Sequence, residues 1–236
     1  MTGVALAHWA FYSDMMSEDV KSRLAAVITA IARTAKISGR DDSAVNLIAI
    51  SKMHDVDAIR PLIDAGQRLF GENRVQEAHA KWPILRAETP GIELHLVGQL
   101  QSNKATEAVA LFDVIHSVDR ISLVTAIAKA QSVLGKRPRC FIQVNIGDEP
   151  QKGGCATADL PALIEAAQRE GLDVVGLMAV PPSGLEAAPY FALLAKFARD
   201  HKLEQLSIGM SGDFETAIML GATYVRIGSA LFGDRV

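Results

Sequence analysis

Cysteine is nearly missing: Cys140 and Cys155 are the two in a chain of 236 residues. They build no disulfide framework, and no Cys-X-X-Cys or Cys/His spacing suggests zinc. Cys140 sits in an apolar, strand-like run and reads as a small core residue. A reducing, cytoplasmic setting is the expectation. Basic charge is not in excess either. Lys and Arg number 24 against 27 Asp and Glu, a net charge of -3 with no dense basic run, which argues against a nucleic-acid partner. No apolar stretch reaches the roughly 18 residues a membrane helix needs. The mildly apolar start (Val4, Leu6, Trp9, Phe11, Tyr12) lacks basic residues and is interrupted by Asp14, so no secretory leader is expected. Residues 1–15 read as an irregular extension, with Met15 or Met16 as an alternative start, and 16–236 as one domain. With 49% hydrophobic residues, one large α/β domain fits better than two small ones.

The chain is organised around Val45-Asn46-Leu47-Ile48-Ala49-Ile50-Ser51-Lys52, an apolar run ending in a lysine. Such a run predicts a strand buried on both faces, as in parallel sheets. A capped amphipathic helix from Ser17 through Ile31 precedes it. Further strands are predicted at 68–72, 92–97, 114–118, 139–146, 173–180, 206–210 and 223–227. Helices are predicted at 55–65, 75–88, 102–111, 119–134, 160–170, 187–201 and 212–220. Pro83 should kink or interrupt its helix, Ser102 should cap the next, and Gly135 should stop the one after. Strands alternating with helices of this length imply parallel βαβ units, and about eight of them point to a (β/α)₈ barrel. A doubly wound sheet is the alternative. If it bound a dinucleotide it would carry a glycine-rich turn after its first strand, and Ser51-Lys52-Met53-His54 has no glycine.

In a barrel the functional groups gather where strands end. Ser211-Gly212 and Gly228-Ser229 follow the last two strands, where barrels frequently hold phosphate. Lys52 offers an amine able to form an imine with an aldehyde. Arg226, on the last strand, would donate a hydrogen bond to a pyridine nitrogen and leave the ring unprotonated. Asn73 is a candidate donor beside such a ring.

These residues lie within blocks that carry a resemblance: Ile50-Ser51-Lys52, Phe70-Gly71-Glu72-Asn73-Arg74-Val75-Gln76-Glu77, His95-Leu96-Val97-Gly98, Ile115-His116-Ser117-Val118-Asp119, Gln143-Val144-Asn145-Ile146, Gly176-Leu177-Met178, Met210-Ser211-Gly212-Asp213-Phe214-Glu215 and Val225-Arg226-Ile227-Gly228. Taken together, from about residue 20 to the end, the chain resembles the pyridoxal phosphate homeostasis protein family. The resemblance implies a single alanine-racemase-like barrel that holds pyridoxal 5′-phosphate (PLP) as a Schiff base on Lys52. Arg226 would face the pyridine nitrogen; Ser211, Gly212, Gly228 and Ser229 would hold the phosphate; Asn73 would lie beside the cofactor and Met178 on the pocket wall. It also implies a carrier and regulator of vitamin B6, without an established reaction. The chain departs from the family pattern at Gln99, where histidine is frequent, at Lys152-Gly153-Gly154-Cys155 in place of Lys-Ser-Gly-Phe, and at Ser229 in place of threonine.

Two other functions compete. An amino-acid racemase or lyase would need an acid/base on each face of the substrate carbon, and Lys52 serves one. The racemases this barrel resembles take the opposing tyrosine from a separate β-domain of a partner subunit. The chain stops at Val236, so no such domain is expected, and of Tyr12, Tyr190 and Tyr224 none is expected at a strand end. His54 and His116 are further base candidates. A sugar-phosphate enzyme without an imine would use Glu72. The carrier reading leads to PLP, and PLP-dependent apoenzymes, as partners of a cytoplasmic monomer.

Overall fold

The computed structural model describes residues 3–233, with side chains from residue 18 onward. Eight parallel strands close into a barrel in sequence order. They are β1 (Asn46–Ile50), β2 (Leu69–Glu72), β3 (Glu93–Leu96), β4 (Val114–Val118), β5 (Arg139–Gln143), β6 (Asp173–Met178), β7 (Gln205–Ser207) and β8 (Tyr224–Ile227). Parallel neighbours need a crossover between them, and helices supply it. These are α2 (Val56–Asp64), α3 (Val75–Glu88), α4 (Ala105–Leu111), α5 (Ile121–Leu134), α6 (Leu160–Arg169), α7 (Ala188–Asp200) and α8 (Phe214–Met219). A long helix α1 (Gly3–Ile37) precedes the barrel, and a one-turn helix α9 (Ser229–Phe232) follows β8.

Side chains alternate across each strand, so every strand feeds two cores. From β1, Leu47 and Ala49 face outward into the large core under the helices, with Ile59, Leu62 and Phe70. Ile48 and Ile50 face inward with Val114, Phe141, Met178 and Tyr224. Burial on both faces explains why the strands read as unbroken apolar runs rather than alternating ones. Closure is made by β1 on β8, with Ile48 opposite Arg226.

Local signals set the helix ends. The Asp55 carboxylate accepts from Ala58 N–H at 2.9 Å and caps α2. Gly135 takes φ 66° and ends α5, a conformation that costs glycine little.

Several expectations are corrected. The backbone is helical from Gly3 to Ile37 without a break, so the segment before residue 16 is not irregular and Ser17 does not begin a helix. Val20, Leu24, Val27, Ile31 and Ala35 form its buried stripe, packed along α8 and α9. The side chains of Val4 through Tyr12, and the choice of Met15 or Met16 as start, lie outside the described residues. Pro83 does not interrupt α3; it is exposed, so the bond it cannot donate is lost on the solvent side. Ser102 opens a 3-10 turn ahead of α4 rather than the helix itself.

Candidate functional site

The inward face of β1 continues past the strand. Ile48 and Ile50 point into the barrel, and two residues further the same alternation brings Lys52 to the mouth. β8 does likewise with Tyr224, Arg226 and then Gly228. A cavity of about 400 Å³ opens at this carboxyl end, within the usual range for ligand sites. Lys52, Asn73, Ser211, Gly212, Arg226, Gly228 and Ser229 all line it. Met178 does not. It is buried beneath, among Ile48, Phe141 and Tyr224, because β6 turns it into the barrel interior one layer below the mouth. Ile50, Val97 and Val180 supply apolar wall, and His54 and Met210 also reach the cavity.

Each side chain is held from behind. The turn carrying Lys52 is gripped from α3. Lys81 Nζ donates to the carbonyls of Ser51 and His54 at 2.8 and 2.9 Å, and it sits 2.9 Å from Glu72 and 3.0 Å from Glu77. Glu77 also accepts the N–H of Met53, which takes the left-handed φ of 64°. Glu72 accepts from Ser51 Oγ at 2.6 Å and Trp82 Nε1 at 3.0 Å. Burial pushes its carboxyl above the usual range, against the opposing pull of those donors. Glu72 therefore faces α3 behind the strand and does not line the cavity.

Asn73 owes its position to Gly98, where any Cβ would collide with the Asn73 backbone. His54 stacks on Phe232 of α9 with ring centroids 4.0 Å apart, tying the turn after β1 to the segment after β8.

Arg226 is buried. Its Nη1 donates to Ser207 O and Oγ at 2.5 and 2.7 Å, and its Nη2 to Ala179 O at 3.0 Å. Among the described residues no carboxylate pairs with it. Burial lowers its pKa to about 10, with only Asp213 acting in the other direction. Of the five N–H donors of a guanidinium, three are thus committed to the barrel wall. The other two have no partner among the described residues.

The two small-residue segments meet, since Ser211 Oγ accepts Ala230 N–H at 3.5 Å. Nothing lies within 4 Å of where a Cβ on Gly212 would sit, which leaves room for a ligand beside the backbone. Gly212 precedes a turn rather than a helix, because α8 starts at Phe214. An amine, a guanidinium without a carboxylate partner among the described residues, and an open glycine cradle thus share one cavity. They fit a ligand carrying an aldehyde, a ring nitrogen and a phosphate.

Other expected groups are elsewhere. His116 is fully buried below the cavity, between His95 and Ser207. Tyr224 starts β8, and its hydroxyl accepts from Arg139 at 3.1 Å, far down the barrel. Gln99 donates to Gln143 Oε1 at 2.6 Å, and Gln143 donates to Gly153 O at 3.1 Å. A Cβ at residue 153 would strike the Gln99 amide, so the departures at 99 and 153 form one interlocked unit. The Cys155 thiol is buried, and desolvation pushes it up to about 12, which makes it a poor nucleophile.

Comparison with known proteins agrees with this geometry. The family model described as alanine racemase, N-terminal domain, matches residues 23–236, and this sets the class of barrel. Alanine racemase of Clostridium difficile 630 shares that fold at a TM-score of 0.71 and 12% identity, covering 92% of this chain and 57% of the racemase. Nearer in sequence, the chain is 42% identical over 223 residues to the pyridoxal phosphate homeostasis protein of Pseudomonas aeruginosa, spanning 92% of this chain and 96% of that one. PipY of Synechococcus elongatus PCC7942, solved with PLP bound, superposes at a TM-score of 0.79 and 38% identity, covering 91% of this chain and all of PipY. The chain belongs to the pyridoxal phosphate homeostasis protein family.

Proposed function

We propose that this chain binds PLP at the barrel mouth and serves the homeostasis of that cofactor as a carrier and regulator. The observation that carries the reading is the joint presence of Lys52, Arg226 and the 211–212 and 228–229 segments around one cavity. When bound, the cofactor supplies an aldehyde that captures an amine and a pyridine ring that withdraws electrons. Lys52 Nζ is the attaching amine. Arg226, a donor that holds its proton, faces the ring nitrogen and keeps it unprotonated. Backbone N–H groups and hydroxyls of Ser211, Gly212, Gly228 and Ser229 hold the phosphate. Asn73 donates beside the ring.

Carriage is favoured over racemization by what lines the cavity. Among the described residues that line it, His54 is the titratable side chain besides Lys52 and Arg226, and it stands two residues from Lys52 on the same turn, flat against Phe232. Racemization wants a second group across the substrate. A sugar-phosphate reading loses its carboxylate, since Glu72 is turned toward α3. Delivery to PLP-dependent apoenzymes, a monomeric state and a cytoplasmic location complete the proposal. Among the described residues no helix is long and apolar enough to cross a membrane.

The test is spectroscopic. Protein loaded with PLP gains a visible absorption band, Lys52→Ala loses it while keeping its circular dichroism, and borohydride fixes the label on the peptide containing Lys52. A label on another lysine rejects the assignment. Turnover of L- or D-alanine well above that of free cofactor rejects the carrier reading.

A further inference from the structure

Below the cavity a continuous line of polar side chains crosses the barrel interior, and the proposed function leaves most of it unused. Arg226 Nη1 donates to Ser207 Oγ at 2.7 Å. Ser207 Oγ lies 2.9 Å from His116 Nδ1. His116 Nε2 lies 2.9 Å from His95 Nδ1. His95 Nε2 is 2.9 Å from Glu93 Oε1, close although not in line for a straight hydrogen bond. Glu93 pairs with Arg139 at 2.6 Å. His95, His116 and Ser207 have no solvent exposure, whereas the Glu93 and Arg139 side chains are each 31% exposed at the opposite end of the barrel.

The order of donors follows by elimination. The Glu93 carboxylate only accepts, and its charge 2.9 Å from His95 Nε2 favours the tautomer with N–H at that nitrogen, although the pair is not aligned for a straight hydrogen bond. A neutral His95 then has a lone pair at Nδ1, which requires N–H at Nε2 of His116. Neutral His116 has its lone pair at Nδ1, which requires the Ser207 hydroxyl to donate. Ser207 is then free to accept from the guanidinium, which only donates. Both rings are held neutral. Burial lowers both pKa values, and for His116 a proton on His95 and the charges of Arg226 and Arg139 would act in the same direction. Glu93 and Asp113 oppose the shift at His95.

We infer that Ser207, His116, His95 and Glu93 form a one-way positioning chain for Arg226, which fixes the guanidinium against the barrel wall and ties its orientation to Glu93 at the opposite end of the barrel. The chain's effect on a bound ring rests on the proposed cofactor. The donor order does not, and can be read from the ligand-free protein.

The first measurement is nitrogen-15 NMR of histidine-labelled, ligand-free protein from about pH 8 to about pH 5.5, a span in which ordinary histidines titrate. Signals assigned to His95 and His116 by single His→Asn variants are expected to show the neutral Nε2–H form throughout. A Nδ1–H form, or a ring that becomes charged near pH 6, overturns the chain. Glu93→Gln is expected to move the His116 signal as well as that of His95, although His116 does not touch Glu93. A shift that stops at His95 also overturns it. Should Glu93→Gln not fold, Ser207→Ala reads the chain from its other end and is expected to shift His116 more than His95; an unmoved His116 counts against the chain. In PLP-loaded protein, Ser207→Ala is expected to shift the visible band without lowering the amount bound, and an unshifted band refutes the reach to the ring. Wild-type protein that takes up no PLP defeats the proposed function instead, and leaves the NMR result standing.

Discussion

Lys81, behind the barrel wall, and Arg226, inside it, are two buried cations near the mouth, each 5% exposed, and they are compensated in opposite ways. Lys81 meets two carboxylates and two carbonyls within 3.0 Å. Arg226 meets carbonyls and a hydroxyl, and among the described residues no carboxylate pairs with it. Taking a charge out of water is costly unless it is paired. Lys81 satisfies that condition internally and has nothing left to offer a ligand; its work is to hold the turn that presents Lys52. Arg226 remains short of negative charge, which is the state in which a buried cation serves as a binding group. A complete ionic shell marks a strut and an incomplete one marks a site.

The contrast can be broken by substitution. Lys81→Met leaves Glu72 buried without its cation, and the expected loss is about 3–5 kcal/mol of stability, read by urea denaturation. Arg226→Met removes a charge that lacks a carboxylate partner among the described residues, and its expected cost is at most about 2 kcal/mol, from carbonyls left with fewer donors. Equal losses, or the reverse order, would end the distinction.

Acid should sharpen it next. His95 and His116 have folded pKa values below the ordinary histidine value of 6.5, so the unfolded chain takes up protons first as pH falls. The stability they contribute is present above about pH 6.5 and is lost below it, by up to about 1.4 kcal/mol per pH unit for each ring. His116→Asn is expected to remove one ring's share of that slope, measured as unfolding free energy between about pH 7 and about pH 5. The smallest effect belongs to the turn that Lys81 holds. Met53→Gly relieves a left-handed backbone at an exposed position and is expected to raise the melting temperature by about 1–3 °C, while loosening the presentation of Lys52 and weakening retention of PLP.

The fold was legible in the sequence wherever burial was complete. Leu47–Ile50 is buried at every position, so that part of β1 could be read from the apolar run alone. Gly135 marked the end of α5 through its own conformational freedom. Helix starts were harder to read. Ser17-Glu18-Asp19 has the composition of a cap but lies inside α1, and Ser211-Gly212 precedes a turn because Asp213 binds Met210 N–H at 2.6 Å before the helix begins. Lys52 and Arg226 were legible as chemistry at strand ends. Met178 was assigned to the wall because strand position alone does not fix depth in the barrel. The His95–His116–Ser207 line went unseen, since its members come from three strands distant in sequence. Alternation along Glu93, His95 and Val97 was the available signal that β3 turns polar groups inward.

The pairing of Ile48 with Arg226 across the closing seam has a consequence for synthesis. The amine at the mouth follows the first strand and the guanidinium lies on the last. A growing chain that still lacks β8 has neither the arginine nor the 228–229 segment, whatever else has collapsed. On the proposed site, full capture of the ligand would await completion of the ring of strands, and ligand bound to the native state alone would add to its stability by mass action.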